Sequence, residues 1–440
     1  MLLKNALKTK VFTTALLLTF AFTAGCDNSA NQNSDEKPGE TIKSEKQRIM
    51  DPNVPEDDLE LLRQGNTDFA FDLYRQLKDE SDAGENMFYS PLSISIALSM
   101  TYAGAKDDTK NEMADVLHFD LPEPDLHAAF NALDQALESR GQDAQGSDGE
   151  PFRLNVINAL WGQVGYPFLE SFLDGLALYY GAGMTLLDFG SDPEAARVVI
   201  NDWVAAQTEN RIEDLIPENV ITGFTRLVLT NAVYFNASWK EPFVEEITQN
   251  GEFSTPAGEV TVPMMRQDTE HGYAEGDGFQ AVDLPYDGDE LSMVIVVPEE
   301  GRMAEIEDAL NGAFVTSITD SLETHNVNLT MPKFSFTQSF RLKDTLQSMG
   351  MNIPFIGGEA DFTGIADPSE LYISAVIHKA FLAVDEKGTE AAAATAVVVT
   401  DTSAPMDPKV VTLDRPFIFF IRDIETGAVV FVGRVADPTA

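Results

Sequence analysis

Cysteine is all but missing. The 440-residue chain has one, Cys26, so no intrachain disulfide can form. Basic residues are scarce too: 29 Lys and Arg stand against 72 Asp and Glu, a formal charge of −43. A surface of that sign repels nucleic acid, anionic lipid headgroups and heparin-like polyanions, so none of these is expected as a partner. It stays soluble in high salt, where self-repulsion is screened, and equally suits an ordinary acidic secreted protein. Enzyme signatures are lacking: there is no cysteine pair for a metal, no HExxH, no GxSxG elbow and no P-loop. The five histidines, His118, His127, His271, His325 and His378, show no ligand spacing. No metal, no other cofactor and no catalytic residue is expected. No internal repeat is found.

What is present suits a folded globular protein. Hydrophobic residues make up 44% and aromatics 9%, and the length suffices for one large core or two modest ones. At the N-terminus Lys4, Lys8 and Lys10 precede a twelve-residue apolar run, Val11 to Phe22, too short to span a bilayer. Thr23-Ala24-Gly25-Cys26 follows and resembles a bacterial lipoprotein cleavage box, with Thr23 in place of the usual leucine. The expectation is a signal peptide over 1–25 and lipidation at Cys26. The protein would be exported, either lipid-anchored to the bacterial cell envelope or secreted, with membrane contact only through the anchor. Ordinary secretion with an incidental Cys26 is the alternative. Residues 26–58 are rich in Asn, Ser, Glu, Lys and Pro and read as a disordered tether. The folded domain is expected over 59–440.

Periodicity places the elements. Asn66 reads as a helix cap, with Phe69, Leu73 and Leu77 on one face after it. Ser90-Pro91 reads as a cap and first-turn proline, opening a helix that is apolar nearly all round and therefore buried. Ser139 to Pro151 is polar, rich in glycine and without periodicity, and reads as an exposed loop. Leu227 to Phe235 reads as a strand covered on both faces, although Thr230 and Asn231 interrupt it. His378 interrupts a similar run. Two sequons, at Asn236 and Asn328, are not expected to carry glycans.

The stretch from Glu386 through Gly388, Thr389, Glu390, Ala391, Ala392, Ala393 and Ala394 to Thr395 is the most informative. A charged, glycine-containing turn runs into small uncharged residues and then Val397-Val398-Val399. On composition alone a surface loop or short helix is the simpler reading. Yet no large side chain interrupts it, so it can enter between two strands as a strand itself. In that form Thr389, Ala391, Ala393, Thr395 and Val397 would share one inward face.

The flanks decide for the second reading. Asn86-Met87-Phe88-Tyr89-Ser90-Pro91-Leu92-Ser93, Leu229-Thr230-Asn231-Ala232-Val233-Tyr234-Phe235 with Trp239 beyond it, Ala375 to Asp385, Leu413 to Ile421 and Gly427 to Val435 together resemble the ordered motifs of the serpin family. The resemblance runs from about Leu59 to the C-terminus.

It implies a mixed α+β serpin fold with three β-sheets, eight or nine helices and an exposed reactive loop. It also implies a monomeric suicide-substrate inhibitor of endopeptidases, not an enzyme. The cleaved loop would enter the main sheet and trap the acyl-enzyme. Glu386, Gly388, Thr389 and Ala391 to Ala394 would form the hinge, with Trp239 where the loop enters. Ser90, Ser93, Asn231 and His378 would form a hydrogen-bonded cluster under the sheet where it opens. The family's spacing from the hinge glutamate, here Glu386, would put the reactive bond at Thr402-Ser403, with Val399-Thr400 competing and a count back from Pro416 placing it nearer Pro405. No Lys or Arg lies between Gly388 and Pro408, so the target is expected to be elastase-like or subtilisin-like, not trypsin-like. The alternative is a non-inhibitory serpin-fold lipoprotein with a binding or chaperone-like role.

Overall fold

The computed structural model describes residues 39–81, 84–147, 149–367, 370–389 and 408–440. In chain order its strands are β1 (Thr41–Ile42), β2 (Met87–Tyr89), β3 (Arg153–Gln163), β4 (Met184–Leu187), β5 (Leu227–Ser238), β6 (Gln249–Thr255), β7 (Gly258–Gly276) and β8 (Phe279–Pro285). Then come β9 (Leu291–Pro298), β10 (Glu323–Pro332), β11 (Phe334–Arg341), β12 (Ala375–Val384), β13 (Gly388–Thr389), β14 (Lys409–Thr412), β15 (Phe417–Asp423) and β16 (Val429–Val435). Among the described residues there are nine α-helices. The strands form a seven-stranded sheet, in the order β1-β4-β3-β5-β13-β12-β11, and a nine-stranded one. The fold class is mixed α+β, as expected. Counted by hydrogen bonds among the described residues, the sheets are two rather than three. The cause is β7, 19 residues long, which pairs with β6 at its start, β10 along its middle and β8 at its end, fusing what would otherwise be separate sheets.

The helix after Ser90 behaves as its sequence demands. Helix α2 (Pro91–Tyr102) is buried at every position, with Pro91 in its first turn. The Ser90 hydroxyl accepts from the Ser93 N–H at 3.3 Å, capping the helix. Strand β5 is covered on both faces. Leu229, Val233 and Phe235 join the main core, which includes α2, while Val228 and Ala232 join a second core built on the helix Pro193–Gln207. β5 and β12 run parallel, Val228 to Tyr234 beside Ala375 to Phe381.

Three expectations need correction. Asn66 does not cap a helix; it lies buried inside helix α1 (Glu56–Glu80). That helix starts after Pro55 with Glu56, Asp57 and Asp58 in its first turn, where carboxylates favour the positive end of the helix dipole. The described part of the expected tether, residues 39–55, is not free either. β1 pairs with β4, and the Ile49 N–H donates to the Leu178 carbonyl at 2.9 Å. Half-buried Arg48 forms ion pairs with Asp134 at 2.5 Å and Glu138 at 3.1 Å. Finally, the loop 139–151 is not simply exposed. Ala144 and Ser147 are buried, and Arg140 pins the start of the loop to the fully buried Asp423 at 2.7 Å.

Candidate functional site

Three adjacent strands place three polar side chains at one level. Asn158 on β3 is paired with Asn231 on β5, and Asn231 with His378 on β12. All three meet Ser93 and Ser90 at the start of α2. The Asn231 amide donates to the Ser93 hydroxyl and to the Asn158 side-chain oxygen. His378 Nδ1 hydrogen-bonds the Asn231 oxygen, and the Ser90 backbone N–H donates to His378 Nε2 at 3.1 Å. Because Nε2 accepts, the proton must sit on Nδ1, and the ring is neutral. Burial pushes the His378 pKa down to about 3, which keeps it so. Phe340 stacks on the imidazole at 6.4 Å between ring centres. The Ser90 hydroxyl donates to the Val430 carbonyl at 2.8 Å, tying the cluster to the second sheet. Ser90, Ser93, Asn231 and His378 are buried, Asn158 partly so; a buried polar group left stranded costs about 1–3 kcal/mol, so the cluster clasps β3, β5, β12 and α2 together.

The four residues singled out by sequence therefore meet. Asn158 was missed. The available signal was the same one, a lone amide between Val156-Ile157 and Ala159-Leu160.

Beyond their parallel stretch, β5 and β12 part to admit β13. Gly388 and Thr389 pair antiparallel with Ser238 and Ala237 of β5, and Thr389 also pairs with Val384 of β12. Gly388 is required by close approach, since a Cβ there would collide with the Ala237 carbonyl oxygen. Thr389 is wholly buried, on the inward face that alternation assigns it. Its hydroxyl shares a 2.8 Å hydrogen bond with Tyr286, and its carbonyl accepts from the Ser147 hydroxyl at 2.9 Å. The Ser147 N–H in turn donates to the Asn236 side chain at 2.8 Å. Asn236, one of the two sequons, is fully buried in this role.

Trp239 holds the chain just before the hinge. Its N–H donates to the Lys387 carbonyl at 2.7 Å and its indole to the Asp385 carbonyl at 3.0 Å, while its ring stacks on Tyr286 at 4.6 Å. Glu386 is buried, ion-paired with Lys333 and hydrogen-bonded by Thr248 at 2.7 Å. Burial alone would raise its pKa; Lys333 and Thr248 outweigh that and hold it below the ordinary carboxylate value. Ser147, Tyr286, Thr248 and Lys333 left no local signal, because each meets the hinge from far along the chain.

The expected hinge residues Ala391 to Ala394, the bonds Thr402-Ser403 and Val399-Thr400, and Cys26 lie outside the described residues. The chain is described again from Pro408, and β14 runs parallel to β10 with Lys409 beside Val327.

Comparison with known proteins converges. A family model described as serpin (serine protease inhibitor) matches residues 64–438. A serpin-like protein of Thermococcus kodakarensis is 42% identical over 375 residues, covering 84% of each chain. The human leukocyte elastase inhibitor is 36% identical over 390 residues, covering 86% of this chain and all of that one. The native structure of tengpin, a thermophilic serpin, superposes with a TM-score of 0.77 at 28% identity, covering 90% of this chain and 97% of that one.

Proposed function

The chain belongs to the serpin family, and from that premise we propose that it is an inhibitory member, a single-use trap for endopeptidases. The family is one of protease inhibitors that act on target proteases. The observation that carries the finer reading is the hinge. Gly388 and Thr389 already stand as the first rungs of a strand between β5 and β12.

The same register would accommodate a longer strand. Extending the β5 pairing beyond Thr389↔Ala237 brings Val398 opposite Val228 and Val399 opposite Leu227. Extending the β12 pairing beyond Val384↔Thr389 brings Val398 opposite Ala375. Val228 and Ala375 are themselves partners, so both neighbours give the same register for a strand over residues 389–399. The same register sets Thr395 between Asn231 and His378, whose hydrogen bond such a strand must part.

In the mechanism, the target's nucleophile attacks the carbonyl of the reactive residue, Thr402 in the forward count. An acyl-enzyme ester or thioester forms, and the new amino group of Ser403 departs. The freed hinge segment then zips between β5 and β12 and carries the acyl-enzyme with it before water completes hydrolysis. Strain stored in the uncut loop is released by its insertion and drives this step. Ser90, Ser93, Asn231 and His378 hold the sheet shut until then; Glu386 and Trp239 fix the point of entry. With no Lys or Arg from 389 to 407, a small or apolar pocket of elastase or subtilisin type suits the loop. The similarity to a leukocyte elastase inhibitor supports that target class. The proposal includes export, attachment through Cys26, action as a monomer and no response to heparin-like polyanions.

Incubation with a panel of endopeptidases tests the reading. At least one should give an SDS-stable complex, and the released C-terminal peptide should begin at Ser403, or at Thr400 if the competing bond is used. The variant Thr389→Arg should be cut as a substrate without forming the complex, because an unpaired charge at this buried position costs several kcal/mol. Simple turnover of the native protein by every enzyme that cuts the loop would refute the inhibitory reading.

A further inference from the structure

We propose that the loop 139–151 and the turn 286–290 form a bracket that holds Thr389 as a ready-made first rung, and that Ser147 is the positioning residue that sets how an acyl-enzyme divides between trapping and release; this rests on the inhibitory reading above. The bracket grips Thr389 twice. The Ser147 hydroxyl donates to its carbonyl at 2.9 Å, and the Tyr286 hydroxyl shares a 2.8 Å hydrogen bond with its side chain. A carbonyl oxygen has two lone pairs, so the Ser147 contact leaves one for a ladder partner. Ser147 and Thr389 are both buried. Alanine at 147 would serve a simple connection from the helix Asp125–Glu138 to β3 without a hydroxyl to bury. A buried hydroxyl aimed at the hinge backbone points instead to a hold on that backbone.

Ser147 can hold because it is itself held. Arg140 pairs with Asp423 at 2.7 Å, and the Gly141 N–H donates to the Glu290 carboxylate at 2.6 Å. The Gln145 N–H donates to the Asp287 carboxylate at 2.9 Å. The Ser238 N–H and hydroxyl donate to the Gln145 and Gly146 carbonyls, each at 2.9 Å, and the Ser147 N–H to Asn236 at 2.8 Å. The loop is thus fixed to the second sheet on one side and to the end of β5 on the other. After the cut, two outcomes compete. Water attacks the acyl carbon, frees the endopeptidase and leaves the chain with a carboxylate end, or the hinge segment zips between β5 and β12. Zipping starts from a first rung whose backbone must be fixed at a cost in entropy. Thr389 already stands between Ala237 and Val384, so that ordering precedes the cut. A hold lost on Thr389 lets the rung fray and gives water more time.

The test uses the full-length protein, a subtilisin-type endopeptidase that the native protein traps, and the variants Ser147→Ala, Ser147→Thr and Tyr286→Phe. Titration gives the ratio of cut, released inhibitor to covalent complex, and rapid quenching gives the rate of the first cut. Ser147→Ala keeps the backbone bond to Asn236 and should be cut at the native rate, while the ratio rises about fivefold, the scale of one net hydrogen bond. Ser147→Thr retains the hydroxyl and should return the ratio to the native value. Tyr286→Phe loses the other hold, keeps the ring stacked on Trp239, and should move the ratio in the same direction as Ser147→Ala. A native ratio in Ser147→Ala, or a slower first cut with the ratio unchanged, would overturn the bracket while leaving the inhibitory reading intact. A panel of endopeptidases of which the native protein traps none would overturn both.

Discussion

A neutral imidazole buried across a strand seam makes the clasp sensitive to acid. His378 titrates near 6.5 when unfolded and at about 3 when folded, because burial disfavours its charge. Between those values the unfolded chain binds more protons, so the stabilisation is intact above pH 6.5 and declines as pH falls. The slope from this one group reaches about 1.4 kcal/mol per pH unit. His271, also lowered by burial, to about 4, has the same sign, and His118, raised chiefly by its hydrogen bond to Asp72, the opposite sign. The difference between the native protein and His378→Gln isolates the clasp. The variant should melt lower at pH 7.5, and the gap should narrow by pH 5.5; a gap independent of pH would contradict the neutral buried ring. At this scale much was legible. Asn231 and His378 each break an apolar run, and a buried polar group must have a partner. The partner Asn158 was equally visible and overlooked, whereas Ser147 and Tyr286 were not visible, since nothing near them in the chain hints at Thr389.

Elements divide by whether local sequence or distant contact shapes them. Helix α2 and strand β5 follow from capping, proline placement and unbroken apolar character. Residues 39–55 and the loop 139–151 carry no periodicity, and their structure comes from single anchors such as Arg48, Arg140 and Ser147. No pattern rule detects an anchor whose partner lies far along the chain. The loop 139–151 reaches the start of the expected hinge, where Ser147 bridges Asn236 of β5 and Thr389 of β13. Ser147→Ala removes one hydrogen bond, worth about 1 kcal/mol, and keeps the backbone contact. Hydrogen exchange at the Thr389 amide should quicken about fivefold in that variant, with exchange in β9 unaffected. Unchanged protection at Thr389 would mean that the loop merely lies alongside the hinge.

For the whole molecule the governing feature is the seam where β5 and β12 run parallel in a sheet into which β13 enters antiparallel. Parallel pairing is slightly less stable per residue than antiparallel pairing. A strand over residues 389–399 would replace one parallel ladder by two antiparallel ladders and bury Val397 and Val399. Loop-cleaved protein should therefore melt on the order of 10 °C or more above intact protein, given about 1 kcal/mol net per added hydrogen bond in a chain of this size. Coincident melting would remove the stored free energy from the account. The family and the fold class were legible from ordered motifs. The merging of sheets through β7 was not, because strand length alone does not reveal which neighbours a strand will share. The seam also sets how such a molecule behaves in a population. On the inhibitory reading proposed above, a strand once zipped would have no ready route out, so each copy would work as a fuse rather than a valve. Protection would then scale with copies remaining, and the fraction of spent copies would be a running record of past proteolysis.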